Sequence, residues 1–267
     1  TSSRRLAIVF LVMSYTQPLV VALDASLENE SEKVAKQLGL RFMGNLEKIQ
    51  KQYKTNKVNL NNCYFFVVEK DKFYLKLGLR KVNKPIYCNF LKWSKDTKKN
   101  NLIKSMRGVS KDCLIVDATA GLGQDSLKLA SLSSKIILLE KVPWIHALLK
   151  QGLNEPENQN SLVSRMEAIC IESKYYLSSL KKKVDVIYLD PMFPNVGKSK
   201  AKKEIQALRE LTETQEDFNL LNISLKAAKE RVIVKRHKNS NFLAERKPTF
   251  SIKGQVVRYD VYSITFN

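Results

Sequence analysis

Two short blocks of this chain combine residue types that chemistry uses. Val184-Asp185-Val186-Ile187-Tyr188-Leu189 is an apolar run of strand length, and it ends in Asp190-Pro191-Met192-Phe193-Pro194. Upstream, Asp117-Ala118-Thr119-Ala120-Gly121-Leu122-Gly123 follows a second apolar run. A carboxylate and a backbone carbonyl at a strand end can accept the two N–H groups of an exocyclic amine, whose lone pair is delocalised into its ring. An amine held that way can be turned toward an electrophilic carbon, which is catalysis by positioning and electrostatics, with Asp190 and Pro191 at the reacting group. Phe193 offers a stacking face for a base taken out of its helix or from an unpaired region. The plainer reading is a strand-end turn stiffened by Pro191 and Pro194, with Phe193 in the core.

Gly121 and Gly123 let backbone come close to a ligand, and a helix starting just after them adds N–H donors. The third glycine of a dinucleotide fingerprint is replaced by Ser126, so a tight structural turn would look similar. Glu140 ends the next apolar run about 20 residues on, where an acid pairs with ribose hydroxyls; a solvated acid is the alternative. Glu172-Ser173 ends a third run and would lie near an adenine. Asp117 either acts on the ammonium of a methionine moiety or caps the turn. A glycine loop after one strand and Asp-Pro-x-aromatic after a later one suit a nitrogen-directed methyltransferase with S-adenosyl-L-methionine as methyl donor.

Lys198, Lys200, Lys202 and Lys203 follow the second block directly and could hold the phosphates flanking a captured base; a solvated helix start is about as good a reading. Lys235 and Arg236 end a later apolar run and would join them on the same sheet edge. Across the chain, 46 Lys and Arg face 26 Asp and Glu, a formal charge of +20. Such a surplus favours a polyanion as partner, through phosphate neutralisation and counterion release. A general lysine bias would scatter the charges instead, and many are scattered. The cysteines Cys63, Cys88, Cys113 and Cys170 form no Cys-x-x-Cys pair, and His146 and His237 stand far apart. No metal site is expected, and free thiols beside apolar runs suit a reducing, cytoplasmic compartment.

These residues need a scaffold. The chain is 267 residues long and 44% hydrophobic, enough for a large domain with a smaller one. Arg4-Arg5 and the apolar run Leu6 to Met13 mimic a short signal peptide but are too short to span a bilayer; a buried strand or a domain extension is expected, and no membrane segment. A strand at Leu19 to Leu23, a helix through Leu27, Ser31, Val34 and Leu38 capped by Gly39, a hairpin of Cys63 to Val68 with Phe73 to Leu77, and a strand at Pro85 to Phe90 compose a small N-terminal α+β domain, residues 1–90. Residues 91–112 turn polar and basic and read as a connecting segment with a short helix at Leu102 to Met106. In 113–267, strands at Cys113 to Val116, Lys135 to Leu139, Ala168 to Ile171, Val184 to Leu189 and Arg231 to Val234 alternate with helices. The helices are expected at Asp125 to Leu132, Trp144 to Leu153, Lys174 to Leu180, Lys202 to Leu211 and Phe218 to Ala228. That alternation gives an α/β fold with a mostly parallel, doubly wound sheet. Phe250 to Lys253 and Val256 to Ile264 close it as an antiparallel hairpin, the Rossmann-like class I methyltransferase architecture.

Taken together, the blocks Val116 to Asp125, Leu139-Glu140-Lys141, Tyr188 to Pro194, Lys202-Lys203-Glu204, Val234-Lys235-Arg236 and Arg258 to Tyr262 resemble the ribosomal RNA small subunit methyltransferase J family. The similarity runs from about Leu19 to near the end of the chain. It implies methyl transfer to the N2 amine of a guanine in 16S ribosomal RNA, free or within the small subunit. It implies contacts to S-adenosylmethionine from Gln124-Asp125, Glu140-Lys141, Glu172-Ser173 and Asp190. Two departures stand out: Ser94 to Asn101 holds no glycine where the family has a glycine-rich basic stretch, and Asn89 replaces an acid before Phe90. An amino methyltransferase acting on DNA or another RNA, or an inactive RNA-binding protein on the same scaffold, would carry much of the same pattern. Retention of Gly121, Gly123, Glu140 and Asp190 argues against the inactive form.

Overall fold

The computed structural model describes residues 17–56, 60, 63–78, 83–95, 101–191, 211 and 218–264. The expectations for the Leu6 to Met13 run, Phe193, Pro194, Lys198, Lys200, Lys202, Lys203 and the helix preceding Leu211 fall outside them. Two compact units divide the chain, Thr1–Tyr87 with Lys200–Glu213, and Cys88–Ser199 with Thr214–Asn267.

The first unit carries a four-stranded sheet in the order β2-β1-β3-β4. Strand β1 (Leu19–Ala22) is buried along its whole length and runs parallel to both β2 (Arg41–Asn45) and β3 (Tyr64–Glu69). Helix α1 (Glu28–Leu38) joins β1 to β2 and ends where Gly39 turns left-handed at φ 67°, its N–H donating back to Ala35 and Lys36. Strands β3 and β4 (Lys72–Leu77) form the expected hairpin, with Asp71 at φ 62° in its two-residue turn. Helix α2 (Leu46–Asn56) and strand β2 are two elements beyond those expected. Leu19, Val21, Ile49, Leu60, Phe65 and Val67 fill this core. Pro85 to Phe90 is not a strand. Only Ile86 bridges, to Leu75, and Asn89 caps a helix instead, its Oδ1 accepting the Lys92 N–H at 2.9 Å.

The second unit is built on a seven-stranded sheet, β10-β11-β9-β8-β5-β6-β7. Strands β5 (Leu114–Asp117), β6 (Lys135–Glu140), β7 (Met166–Cys170), β8 (Val184–Leu189) and β9 (Ala228–His237) are parallel. The apolar runs of β5, β6 and β8 reflect burial on both faces. Helices α5 (Gln124–Ala130), α6 (Pro143–Asn154), α7 (Ser173–Ser179) and α8 (Phe218–Ala227) make the crossovers. The antiparallel pair β10 (Phe250–Lys253) and β11 (Val257–Ser263) closes the edge against β9. The buried Arg258 secures that edge. Its Nε donates to Asp260, and its Nη1 to the carbonyls of His237, Lys238 and Ser240.

The polar stretch after Cys88 is anchored to this unit by short helices α3 (Phe90–Ser94) and α4 (Asn101–Ser105), through buried Phe90 and Leu102. Arg231 donates to the Ser105 carbonyl at 2.8 Å. Asn158 donates to the carbonyls of Cys88 and Gly152 and accepts the Leu91 N–H. These bonds press Cys88 onto α6 so closely that a Cβ on Gly152 would stand 2.3 Å from the Cys88 Cβ. Because that neighbour is no flexible side-chain tip, Gly152→Ala is expected to destabilise the protein by about 1–3 kcal/mol. Chemical denaturation of the two proteins checks this, and equal stability would refute the close packing.

Candidate active site

In a doubly wound sheet, ligands sit beyond the carboxyl ends of the strands, where strand order reverses. Here the reversal lies between β5 and β8, and the loops after β5, β6 and β8 open on one edge. The β5 loop is pinned to its neighbours: Ala118 donates to the Tyr188 carbonyl at 2.9 Å and Ala120 to that of Leu139 at 3.1 Å. Asp190 donates its backbone N–H to Thr119 Oγ1 at 2.6 Å, which locks the end of β8 against the glycine loop.

The two glycines differ in what they do. Gly121, at φ 54°, offers its N–H to Glu140 Oε2 at 3.0 Å. Gly123, at φ 78°, faces the core: a Cβ there would lie 2.9 Å from Leu149 Cδ1 and 3.3 Å from Leu138 and Phe90. Its glycine serves backbone turning and close packing of the loop.

The four acids of the site are answered in different ways, two of them by one lysine. Glu140 is buried, and its other oxygen accepts the Val142 N–H at 2.8 Å. Burial pushes its carboxyl above the ordinary range, opposed by those two N–H donors. Asp117 is spent internally: Oδ1 accepts the Thr119 N–H at 3.0 Å and Oδ2 the Ser126 hydroxyl at 2.5 Å. That is the turn-capping alternative, and burial lifts this carboxyl to about 7. Asp125, in the first turn of α5, receives Lys235 Nζ at 2.7 Å, Lys128 Nζ at 3.1 Å and the Tyr188 hydroxyl at 2.9 Å. Burial alone would raise it, but the Lys235 and Lys128 ammoniums hold it below its usual range. Asp190 meets the same lysine, with Nζ 2.6 Å from Oδ2.

Other expected residues are more dispersed. Gln124 opens α5 and Lys141 is exposed just past Glu140. Glu172 precedes α7, 3.8 Å from Lys174. Ser173 is buried and donates to the Ala118 carbonyl, so the β7 end also reaches the loop. Pro191 follows Asp190 at the edge of the described residues. Lys235 and Arg236, expected to face phosphates, are turned inward. Lys235 spans two carboxylates, and Arg236 is buried with Nε donating to the Asn241 carbonyl. The strand's alternation carries Lys235 into the site and Arg236 to the opposite face. Thr119 and Tyr188 escaped sequence reasoning. Thr119 had a signal in its place two residues after Asp117, the spacing of an aspartate turn; Tyr188 looked like any apolar strand position.

The donor chemistry fits S-adenosylmethionine. A buried carboxylate beside a glycine-loop N–H suits a ribose diol, and a concentration of acids suits a cationic ligand. Among the described residues no group of three or more His, Cys, Asp and Glu is placed to hold a metal ion.

Asp117 also sets a pH dependence. Its folded pKa lies above its unfolded one, so the stability gained by keeping it protonated is full below about pH 4 and lost as pH rises through about 7. Asp117→Asn is therefore expected to lose less stability than the parent between those limits. Denaturation at a series of pH values checks this, and equal slopes would refute a neutral buried Asp117.

The chain is similar to known proteins over most of its length. Residues 48–264 match the family model described as "Putative SAM-dependent methyltransferase". The ribosomal RNA small subunit methyltransferase J of Coxiella burnetii is 36% identical over 230 residues, covering 81% of this chain and 91% of that protein. That of Francisella philomiragia is 37% identical over 176 residues, 63% of this chain and 73% of that protein. The crystal structure of a SAM-dependent methyltransferase from Neisseria gonorrhoeae has the same fold, with a TM-score of 0.63, 23% identity, and coverage of 92% and 95%. With the carboxyl edge of its sheet arranged as above, the chain belongs to the ribosomal RNA small subunit methyltransferase J family of S-adenosylmethionine-dependent methyltransferases.

Proposed function

We propose that this enzyme methylates the exocyclic N2 amine of a guanine in small-subunit (16S) ribosomal RNA, in the cytoplasm. The observation that carries the amine chemistry is Asp190 at the end of β8, fastened through Thr119 to the glycine loop. S-adenosylmethionine supplies an electrophilic methyl group on a sulfonium. Glu140 would accept its ribose hydroxyls, with the Gly121 loop, Gln124, Lys141, Glu172 and Ser173 around it. Asp125 and Asp190 would complete the cofactor side. Asp190 then accepts an N–H of the target amine, and the carbonyl in the Asp-Pro-x-aromatic turn takes the other. Two acceptors align the nitrogen lone pair and favour the positive charge that grows on it. The proton leaves the nitrogen for solvent. Phe193 would stack on the base, and Lys198, Lys200, Lys202 and Lys203 would meet flanking phosphates.

The substrate reading rests on the curated relatives, whose name specifies small-subunit ribosomal RNA, and on the charge of +20. No described helix is long and apolar enough to cross a membrane. The test is nucleoside mass spectrometry of small-subunit RNA lacking the modification, incubated with enzyme and S-adenosylmethionine. New N2-methylguanosine is expected. A methylated product in duplex DNA alone, or none from folded protein, would overturn the assignment. Asp190→Ala is expected to slow methylation by about 100-fold or more while cofactor affinity changes far less.

A further inference from the structure

Binding of the cofactor and capture of the base leave one residue unexplained. Lys235 comes from the middle of the sheet, in β9, yet its ammonium reaches the Asp190 carboxylate at 2.6 Å and that of Asp125 at 2.7 Å. Only 18% of its side chain is exposed. Withdrawing Lys235 and Asp125 largely from water is costly, and ion pairs of this kind persist only with close geometry and further hydrogen bonds. Both are present. Asp125 is held in turn by Lys128 and the Tyr188 hydroxyl, and the Asp190 backbone is held by Thr119.

We propose that Lys235 is a positioning residue for methyl transfer, whose ammonium locks the Asp190 carboxylate, ionised and in one orientation, against the start of α5. This rests on the reading of Asp190 as acceptor for the target amine. A carboxylate swivels easily about its last torsion. With the backbone N–H tied to Thr119 and Oδ2 tied to Lys235, Asp190 is fixed at both ends. Misplacement of a catalytic group by about 1 Å costs on the order of 100-fold in rate, so the lock is worth having.

The charges facing Lys235 settle its own state. Asp125 and Lys128 come from α5, Asp190 and Tyr188 from β8, Asp117 from β5 and Tyr259 from β11. Burial would depress the ammonium, but Asp125 and Asp190 hold it well above its usual range. Lys235 therefore stays protonated and takes no proton from the amine. It acts through Asp190.

The experiment compares Lys235→Met, Lys235→Arg and Asp190→Ala in single-turnover methylation of unmodified small-subunit RNA across pH, with calorimetric binding of S-adenosylhomocysteine. Lys235→Met is expected to lose about 100-fold in rate, with a much smaller change in S-adenosylhomocysteine affinity. Its acid limb should move to higher pH, and Lys235→Arg should restore both rate and profile in large part. If Asp190→Ala is slow while Lys235→Met keeps the parent rate and profile, the Lys235 proposal fails and the amine-site reading stands. If Asp190→Ala is as fast as the parent, the amine-site reading fails and takes the proposal with it. Should Lys235→Met not fold, the parent labelled with [15N]lysine decides. The Lys235 ammonium signal, identified by its loss in Lys235→Arg, should survive to higher pH than the others and move in Asp190→Asn. A signal that titrates with the exposed lysines and ignores Asp190→Asn overturns the proposal.

Discussion

Crowded negative charge is the constraint that organises this protein's site. Asp117, Asp125, Glu140 and Asp190 all gather at the carboxyl edge of one parallel sheet. Unanswered carboxylates so placed would repel one another and resist burial. Asp117 is answered by hydroxyl and N–H donors and by a carboxyl lifted to about 7. Glu140 is answered by two backbone N–H groups, and Asp125 and Asp190 by Lys235. None of the four is thereby left bare at the sheet edge.

Topology makes this economical. Strand β5 stands at the reversal of strand order, so its loop is flanked by the ends of β6 and β8. Backbone bonds from Ala118 and Ala120 fasten that loop to both neighbours, and Thr119 ties in Asp190. Gly123 supports the arrangement from behind by letting the loop settle against Leu149, Leu138 and Phe90. Precision at the edge therefore comes from packing beneath it.

Much of this was legible in the residues. The bounds of β8 coincide with the apolar run Val184 to Leu189, and Gly39, the β3–β4 hairpin and the closing antiparallel pair follow their local signals. Buried parallel strands read clearly because both faces are apolar. Where tertiary context decides, the reading ran out. Pro85 to Phe90 is rich in strand formers, yet the Asn89 cap and burial of Phe90 make a helix begin there. Strand β2 holds Arg41, Gly44 and Asn45 and shows little alternation. Lys235 beside Arg236 looked like a phosphate contact, because nothing local says that two acids from distant elements converge on one side of β9. Long-range ion pairs of this kind are set by the fold, so a single sequence names the partners without pairing them.

The central claim is that methyl donor and target amine meet between the Gly121 loop, Glu140 and Asp190. A crystal structure with S-adenosylhomocysteine bound tests it most directly. The ribose hydroxyls should lie on the Glu140 carboxylate, and the sulfur should open toward the end of β8 beside Asp190. A ligand bound elsewhere on the sheet, or one lying here with Glu140 out of reach of its ribose, would contradict the account.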